Sequence, residues 1–217
     1  MNRKEAKNAK AKGVLSLRLS VLCVEKENME SLINYILQFG QLNQQQIDLV
    51  KSKAVFKSLK KDEYYQEAGK IPREIIFLTK GIIRISYYDN KGNDITKYFM
   101  DENRFIADIN SYNQGIPSTE YAQAVTDCEY LAFSKEGMEE LSLTIVGWDA
   151  IISKITAKGL ADKLTRISSM MAEDATERYL HFLTNFPGLA NRIPLSQLAS
   201  YLGITQSSLS RIRRDIK

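Results

Sequence analysis

The sequence is poor in the residues that build cross-links and metal cages. Among 217 residues it has two cysteines, Cys23 and Cys128, and one histidine, His181. Two thiols make neither a disulfide framework nor a thiolate metal site, and they suit a reducing compartment, so a cytoplasmic protein is expected. No run approaches the roughly 18 uninterrupted apolar residues that cross a bilayer, so no membrane partner is expected. The nearest candidate for a targeting segment, "VLSLRLSVLCV" (14–24), carries Arg18 in its middle and has no A-x-A pattern nearby, which argues against a signal peptide. A lone histidine, with no paired cysteine–histidine spacing and no phosphate-cradling glycine loop, leaves no catalytic constellation to assemble. An enzyme is not expected.

What is present is a 44% apolar composition, enough for one or two buried cores, and an uneven charge. The net charge is +4, yet residues 1–28 and residues 192–217 each carry +4, which leaves −4 on the body between them. An acidic body with a basic terminus is expected where only that terminus approaches a polyanion. Residues 1–28 have no turn or cap tying them to the rest of the chain and are read as a basic tail or extension without a fold of its own.

From Met29 the apolar residues Leu32, Ile33, Ile36 and Leu37, then Leu42, Ile47 and Val50, recur at helical spacing around Gly40, which predicts two short helices. Between Phe56 and Phe133 the period becomes that of strands, in "EIIFL", "IIRISYY", "ITKYFM" and "EYAQAV". Asp89-Asn90-Lys91-Gly92 is the strongest hairpin signal, with asparagine and glycine expected to supply positive φ angles. Short strands at near-regular intervals predict an antiparallel β-sandwich or barrel over 29–143, with flanking helices. Ser134 reads as the cap of a helix through Met138 and Leu141.

A proline-free stretch from about Thr144 to Met171 carries Trp148, Ile152, Ile155, Leu160, Leu164 and Ile167 at coiled-coil spacing, with a slip of phase near Gly159. Such a stripe can pack on its own β domain, but about 28 helical residues span about 40 Å, more than one small domain needs, which favours a homodimer seam over 144–171.

The last domain, 172–217, ends in "RIPLSQLASYLGITQSSLSRIRRDIK". Leu195, Leu198, Ala199 and Leu202 share one helical face, and Leu209, Ile212 and Ile216 share another. Between them Gly203 can end the first helix in the left-handed region, Ile204 plugs the angle and Thr205 caps the second helix. This is a helix-turn-helix pattern. It leaves Gln206, Ser207, Ser210 and Arg211 outward, where glutamine can pair with adenine, arginine can fork onto guanine, and serine permits close approach. Arg213, Arg214 and Lys217, with Ser196 and Gln197 at the start of the first helix, read as phosphate contacts.

Taken together, "YYQEAGKIPREIIFLTKGIIRIS", "FIADINSYNQGIPSTEYAQA", the long helix and "IPLSQLASYLGITQSSLSRIRR" resemble the bacterial regulators of the cyclic-AMP receptor protein and fumarate-nitrate regulator (Crp/Fnr) family over nearly the whole chain from Met29. The resemblance implies an α+β chain: an N-terminal antiparallel β-roll of the cyclic-nucleotide-binding jelly-roll kind, a long dimerisation helix, and a C-terminal winged helix-turn-helix. It also implies a homodimer on palindromic double-stranded DNA, with RNA polymerase as a further partner. Gln206, Ser207 and Arg211 match the family's base-contacting positions. The sensor departs from the pattern. Cyclic-nucleotide binders carry Gly-Glu and, about ten residues on, Arg-Ser or Arg-Thr for the cyclic phosphate; here stand Ala107-Asp108 and Ser118-Thr119. A buried cyclic phosphate without a cation faces a large desolvation cost, and Asp108 adds repulsion, so cyclic AMP is not the expected effector unless Arg84 or Arg104 substitutes. Two cysteines fall short of an iron–sulfur cluster and the single histidine reads as an ordinary side chain rather than a haem ligand, so no cofactor is expected and the effector is left unnamed.

A different class competes with the regulator: a sensor or scaffold whose terminal helices only support a dimer and never meet DNA. The two part at the outer face of Gln206 to Arg214, which is packed away in the scaffold and projects outward, about 34 Å from its partner, in the regulator.

Overall fold

The computed structural model describes residues 23–216, with the side chains of 165–172 excepted. Helix α1 covers residues 23–36 and α2 Gln44–Lys53. Residues 23–28, read from sequence as part of a tail, belong to α1: its apolar stripe Leu32, Ile33 and Ile36 is buried, and Asn28 Nδ2 donates to Glu129 Oε2 at 3.4 Å. Residues 1–22, with most of the "VLSLRLSVLCV" run, lie outside the described residues. A capping box starts α2, in which Asn43 Oδ1 accepts from the Gln46 amide and the Gln46 side chain accepts from the Asn43 amide.

Eight strands come next: β1 (Val55–Leu59), β2 (Tyr64–Gln66), β3 (Glu74–Lys80), β4 (Ile83–Tyr88), β5 (Asp94–Met100), β6 (Arg104–Ile106), β7 (Tyr121–Ala124) and β8 (Cys128–Ser134), with the short helix α3 (Ile109–Gln114) before β7. They form two four-stranded antiparallel sheets, β1-β8-β3-β6 and β2-β7-β4-β5. Their period of two sorts the core. Ile76, Leu78, Tyr130 and Ala132 point between the sheets, to Ile83 and Ile85. Their neighbours Phe77, Leu131 and Phe133 point the other way, into a cluster with α1, α2 and the helices after β8.

The β4–β5 hairpin is closed by Asp89, whose Oδ1 accepts from the amides of Lys91 and Asn93 at 2.8 and 2.9 Å. Gly92 has φ +79°, as expected. Asn90 does not adopt a positive φ; the Asp89 carboxylate supplies the turn's hydrogen bonds in its place.

Ser134 caps α4 (Lys135–Thr144) by accepting from the Gly137 amide at 3.1 Å. The long helix α5 then begins at Trp148, not Thr144, and runs to Ala172; Ile145 leaves helical geometry and is buried, which breaks α4 from α5. At 25 residues α5 is about 37 Å long. Three helices complete the chain: α6 (Ala175–Asn185), opened by an Asp174–Glu177 capping box, α7 (Leu195–Leu202) and α8 (Gln206–Asp215). The three terminal helices stand with no strand among described residues 173–216, so the wing implied by the resemblance does not occur there. Among the described residues no helix is long and apolar enough to cross a membrane.

Candidate nucleic-acid interface and sensor cavity

The α7–α8 pair is built as its sequence dictates. Gly203 ends α7 with φ +68°, and the Ile204 amide bonds back to the Ala199 carbonyl at 3.0 Å. Thr205 Oγ1 accepts from the Ser208 amide at 3.1 Å and so caps α8. Leu198, Ala199, Leu202 and Leu209 are buried in one cluster with Tyr179, Phe182, Leu189 and Ile193, and Ile212 packs against it. This fixes the rotation of α8 and leaves Gln206, Ser207, Ser210 and Arg211 exposed on its free face. Arg214 and Ser196 are exposed and Arg213 is half-buried; Lys217 lies outside the described residues.

Gln197 differs from expectation. It lies one turn before Ser200 and Tyr201, on the face of α7 that meets the sensor sheet, and its Oε1 is buried without a hydrogen-bond partner among the described residues. The docking is specific. The Thr96 amide donates to Ser200 Oγ at 3.0 Å, and Ser200 Oγ donates to the Asp94 carbonyl at 3.3 Å. Phe99 of β5 meets Tyr201 with ring centroids 5.6 Å apart, and Arg192 forks onto Glu102 at 2.5 and 3.2 Å. Burial pushes the Glu102 carboxyl up, but hydrogen bonds from Arg192 and the Gly81 amide outweigh it and hold the group below its ordinary value. Ile82, Phe99 and Val125 of the roll thus share one core with the terminal helices.

The stripe on α5 is divided between two surroundings. Trp148 and Ile155 are buried, and Ile152 half-buried, against the chain's own roll, so these three do not present a seam to a partner. Leu160 and Leu164, beyond the phase slip, are 57% and 56% exposed. The side chain of Ile167 lies outside the described residues.

A cavity of about 420 Å³ opens between the roll and α5. Of the six residues expected to lie together, Arg104, Ala107, Asp108 and Ser118 line it; Arg84 and Thr119 do not. Arg84 is 5% exposed and ion-paired with Asp94 across the β4–β5 ladder, and Thr119 faces solvent. Arg104 is held by Asp101 at 2.6 Å and Asp162 at 3.1 Å. Asp108 caps α3 through the Ser111 amide at 3.2 Å and accepts from Ser118 Oγ at 2.8 Å. Burial raises its carboxyl pKa, but these bonds, helped by the charge of Lys163, carry it below the usual value. Sequence reasoning missed Lys163 and Tyr98, which line the same cavity from α5 and β5; no local pattern joins residues 65 positions apart. His181 of α6, whose Nδ1 meets Glu173 at 2.9 Å, does not line this cavity. Among the described residues no group of three metal-ligating side chains assembles.

Residues 56–144 match the family model of the cyclic nucleotide-binding domain. The match spans the two sheets and α4. The chain is similar in fold to FixK2 of Bradyrhizobium japonicum, at 18% identity and a TM-score of 0.65, over 75% of this chain and 84% of that one. It is also similar to CLP of Xanthomonas campestris, a c-di-GMP responsive global regulator, at 15% identity and a TM-score of 0.64, over 80% and 91% of the two chains. A putative transcriptional regulator of the Crp/Fnr family from Eubacterium rectale matches at 16% identity and a TM-score of 0.62, over 80% and 82%. At such identities the likeness is one of fold, and that fold is the Crp/Fnr architecture: a cyclic nucleotide-binding domain, a long helix and terminal helices. No curated protein matches the sequence.

Proposed function

We propose that this chain is a sequence-specific, DNA-binding transcriptional regulator of the Crp/Fnr type that acts as a homodimer and does not respond to cyclic AMP. The observation that carries the reading is the free face of α8. Gln206, Ser207, Ser210 and Arg211 are all exposed at the N-terminal half of a helix that is capped by Thr205 and fixed in rotation by buried Leu209. A helix serving only as a scaffold gains nothing from holding such side chains outward at a defined angle. Arg211 and Gln206 can read base edges in the major groove, while Arg213, Arg214 and Ser196 neutralise or hydrogen-bond phosphates.

The dimer is formed along the C-terminal half of α5, through Leu160 and Leu164, which the chain's own core leaves exposed. Two copies related by a twofold axis place their α8 helices on half-sites about 34 Å apart. Because α5 closes the cavity on one side and leads to α6 on the other, a ligand with unequal affinity for two α5 positions biases the two recognition helices. The α7–β5 docking gives the roll a second hold on the reader. It also supports the competing reading of a scaffold that does not bind DNA, since it covers part of α7, Gln197 included.

The test is selection of genomic fragments on the purified full-length chain, then footprinting. The regulator reading expects a two-part protected site with inverted half-sites one helical turn apart. Recovery of fragments with no shared sequence, with and without a cell-extract small-molecule fraction, would favour the scaffold.

A further inference from the structure

The cavity between the roll and α5 has polar groups unlike those a cyclic nucleotide needs. Ser118, only 2% exposed, donates from Oγ to Asp108 Oδ2 at 2.8 Å and accepts from the Glu120 amide at 3.1 Å. Asp108 spends its other oxygen on the cap of α3. The corner that would hold a cyclic phosphate is therefore closed by a hydroxyl and a carboxylate that satisfy each other, and an anion placed there meets a like charge.

Elsewhere the walls are mainly apolar, with Ile85, Met100 and Ile106 from the roll and Ile152 and Ile155 from α5, beside the uncharged polar Gln66, Asn110 and Thr156. The other ionised groups are committed. Arg104 is paired with Asp101 and Asp162, and Glu120 with Lys97. Lys163 is the exception. Its Nζ lies 4.7 Å from the centroid of the Tyr98 ring and 3.4 Å from Tyr98 Oη, and among the described residues no carboxylate comes within 4.0 Å of it. Asp108 feels its charge only at longer range. A half-buried ammonium at the edge of an apolar cavity, resting on an aromatic face, is matched by a ligand with an apolar body and one carboxylate.

We propose that this cavity binds a small apolar organic acid, with its carboxylate on Lys163 and its hydrocarbon or aromatic body between the roll and α5, in place of a cyclic nucleotide. This rests on reading the roll as a sensor. Lys163 is on α5, nine residues before that helix ends ahead of α6, so an acid drawn to it acts on the element that carries the DNA reader.

Calorimetric titration of the full chain without DNA tests this, using decanoate, decanol and cyclic AMP as probes on the wild type, Lys163→Met and Lys158→Met, the last an exposed lysine of the same helix. The expected result is one decanoate site per chain, decanol weaker by about tenfold or more, and no saturable heat from cyclic AMP. Lys163→Met should bring decanoate down to the level of decanol, while Lys158→Met should not; retained circular dichroism and melting temperature confirm that both variants are folded. Equal binding of decanoate and decanol to the wild type, an unchanged preference in Lys163→Met, or saturable cyclic AMP without decanoate binding would overturn the proposal. Since no DNA is present, that outcome leaves the DNA-binding reading standing, and loss of the DNA-binding reading leaves this measurement valid.

Discussion

Arg211 and Arg214 lie a turn apart on one helix, and the proposed reading gives them different roles. Arg211 stands with Gln206 and Ser207 on the free face near the start of α8, and Arg214 lies beside Asp215, 3.4 Å away. Arg211→Ala is expected to cost about 1–3 kcal/mol on the selected site and to loosen preference at one base position. Arg214→Ala should weaken selected and random duplex alike and lower the salt slope by about 1. Competition titrations on both duplexes separate these outcomes, and identical behaviour of the two variants would mean that the roles are misassigned. Glu102 offers a pH test. Its folded carboxyl lies below the ordinary value of 4.5, so its tie to Arg192 stabilises docking fully above that pH and is lost as pH falls through the folded value. Glu102→Gln should flatten that acid-side loss in melting temperature, and an unchanged slope would place the linkage elsewhere.

At the scale of elements, two contacts would couple the roll to the terminal helices in the proposed regulator. The outer face of β5 meets α7 through Phe99 and Tyr201, on the side of the sheet away from the inter-sheet core. Phe99→Ala should therefore raise hydrogen exchange in α6–α8 while the amides of β3 and β8 keep their protection; a uniform loss across the chain would show that the roll and the terminal helices unfold as one unit. The second is the proposed contact of α5 with its copy. Leu160→Glu with Leu164→Glu places two charges on the exposed half of the helix and should shift sedimentation from dimer to monomer without lowering the stability of the roll, whose core uses Trp148, Ile151 and Ile155. How much of this the sequence discloses depends on the range of the contact. Gly203, Thr205 and Ser134 act on amides within five residues of themselves, and their roles were legible. The division of the α5 stripe was only hinted at by the phase slip near Gly159, because periodicity tells that a face is apolar and not whose core covers it. Gln197, Arg84 and Lys163 were misplaced or missed for the same reason. Their surroundings come from strands and helices far along the chain, and a side chain's local spacing does not record them.

At the scale of the whole molecule, the charge segregation and the architecture agree. The acidic excess lies in the roll and its flanking helices, and most of the basic C-terminus lies on α8, whose polar face is exposed. The roll and the terminal helices are joined both by α5 and by the docked α7, through a core that Ile82, Phe99 and Val125 of the roll share with those helices. The measurement that tests the central claim most directly is fluorescence anisotropy of the wild-type chain on its selected duplex and on a random duplex across a salt series. The account predicts preference for the selected site by about 10³ or more, with a steep fall in affinity as salt rises. Equal affinity for the two duplexes at every salt concentration, in the presence of a ligand that saturates the cavity, would contradict it.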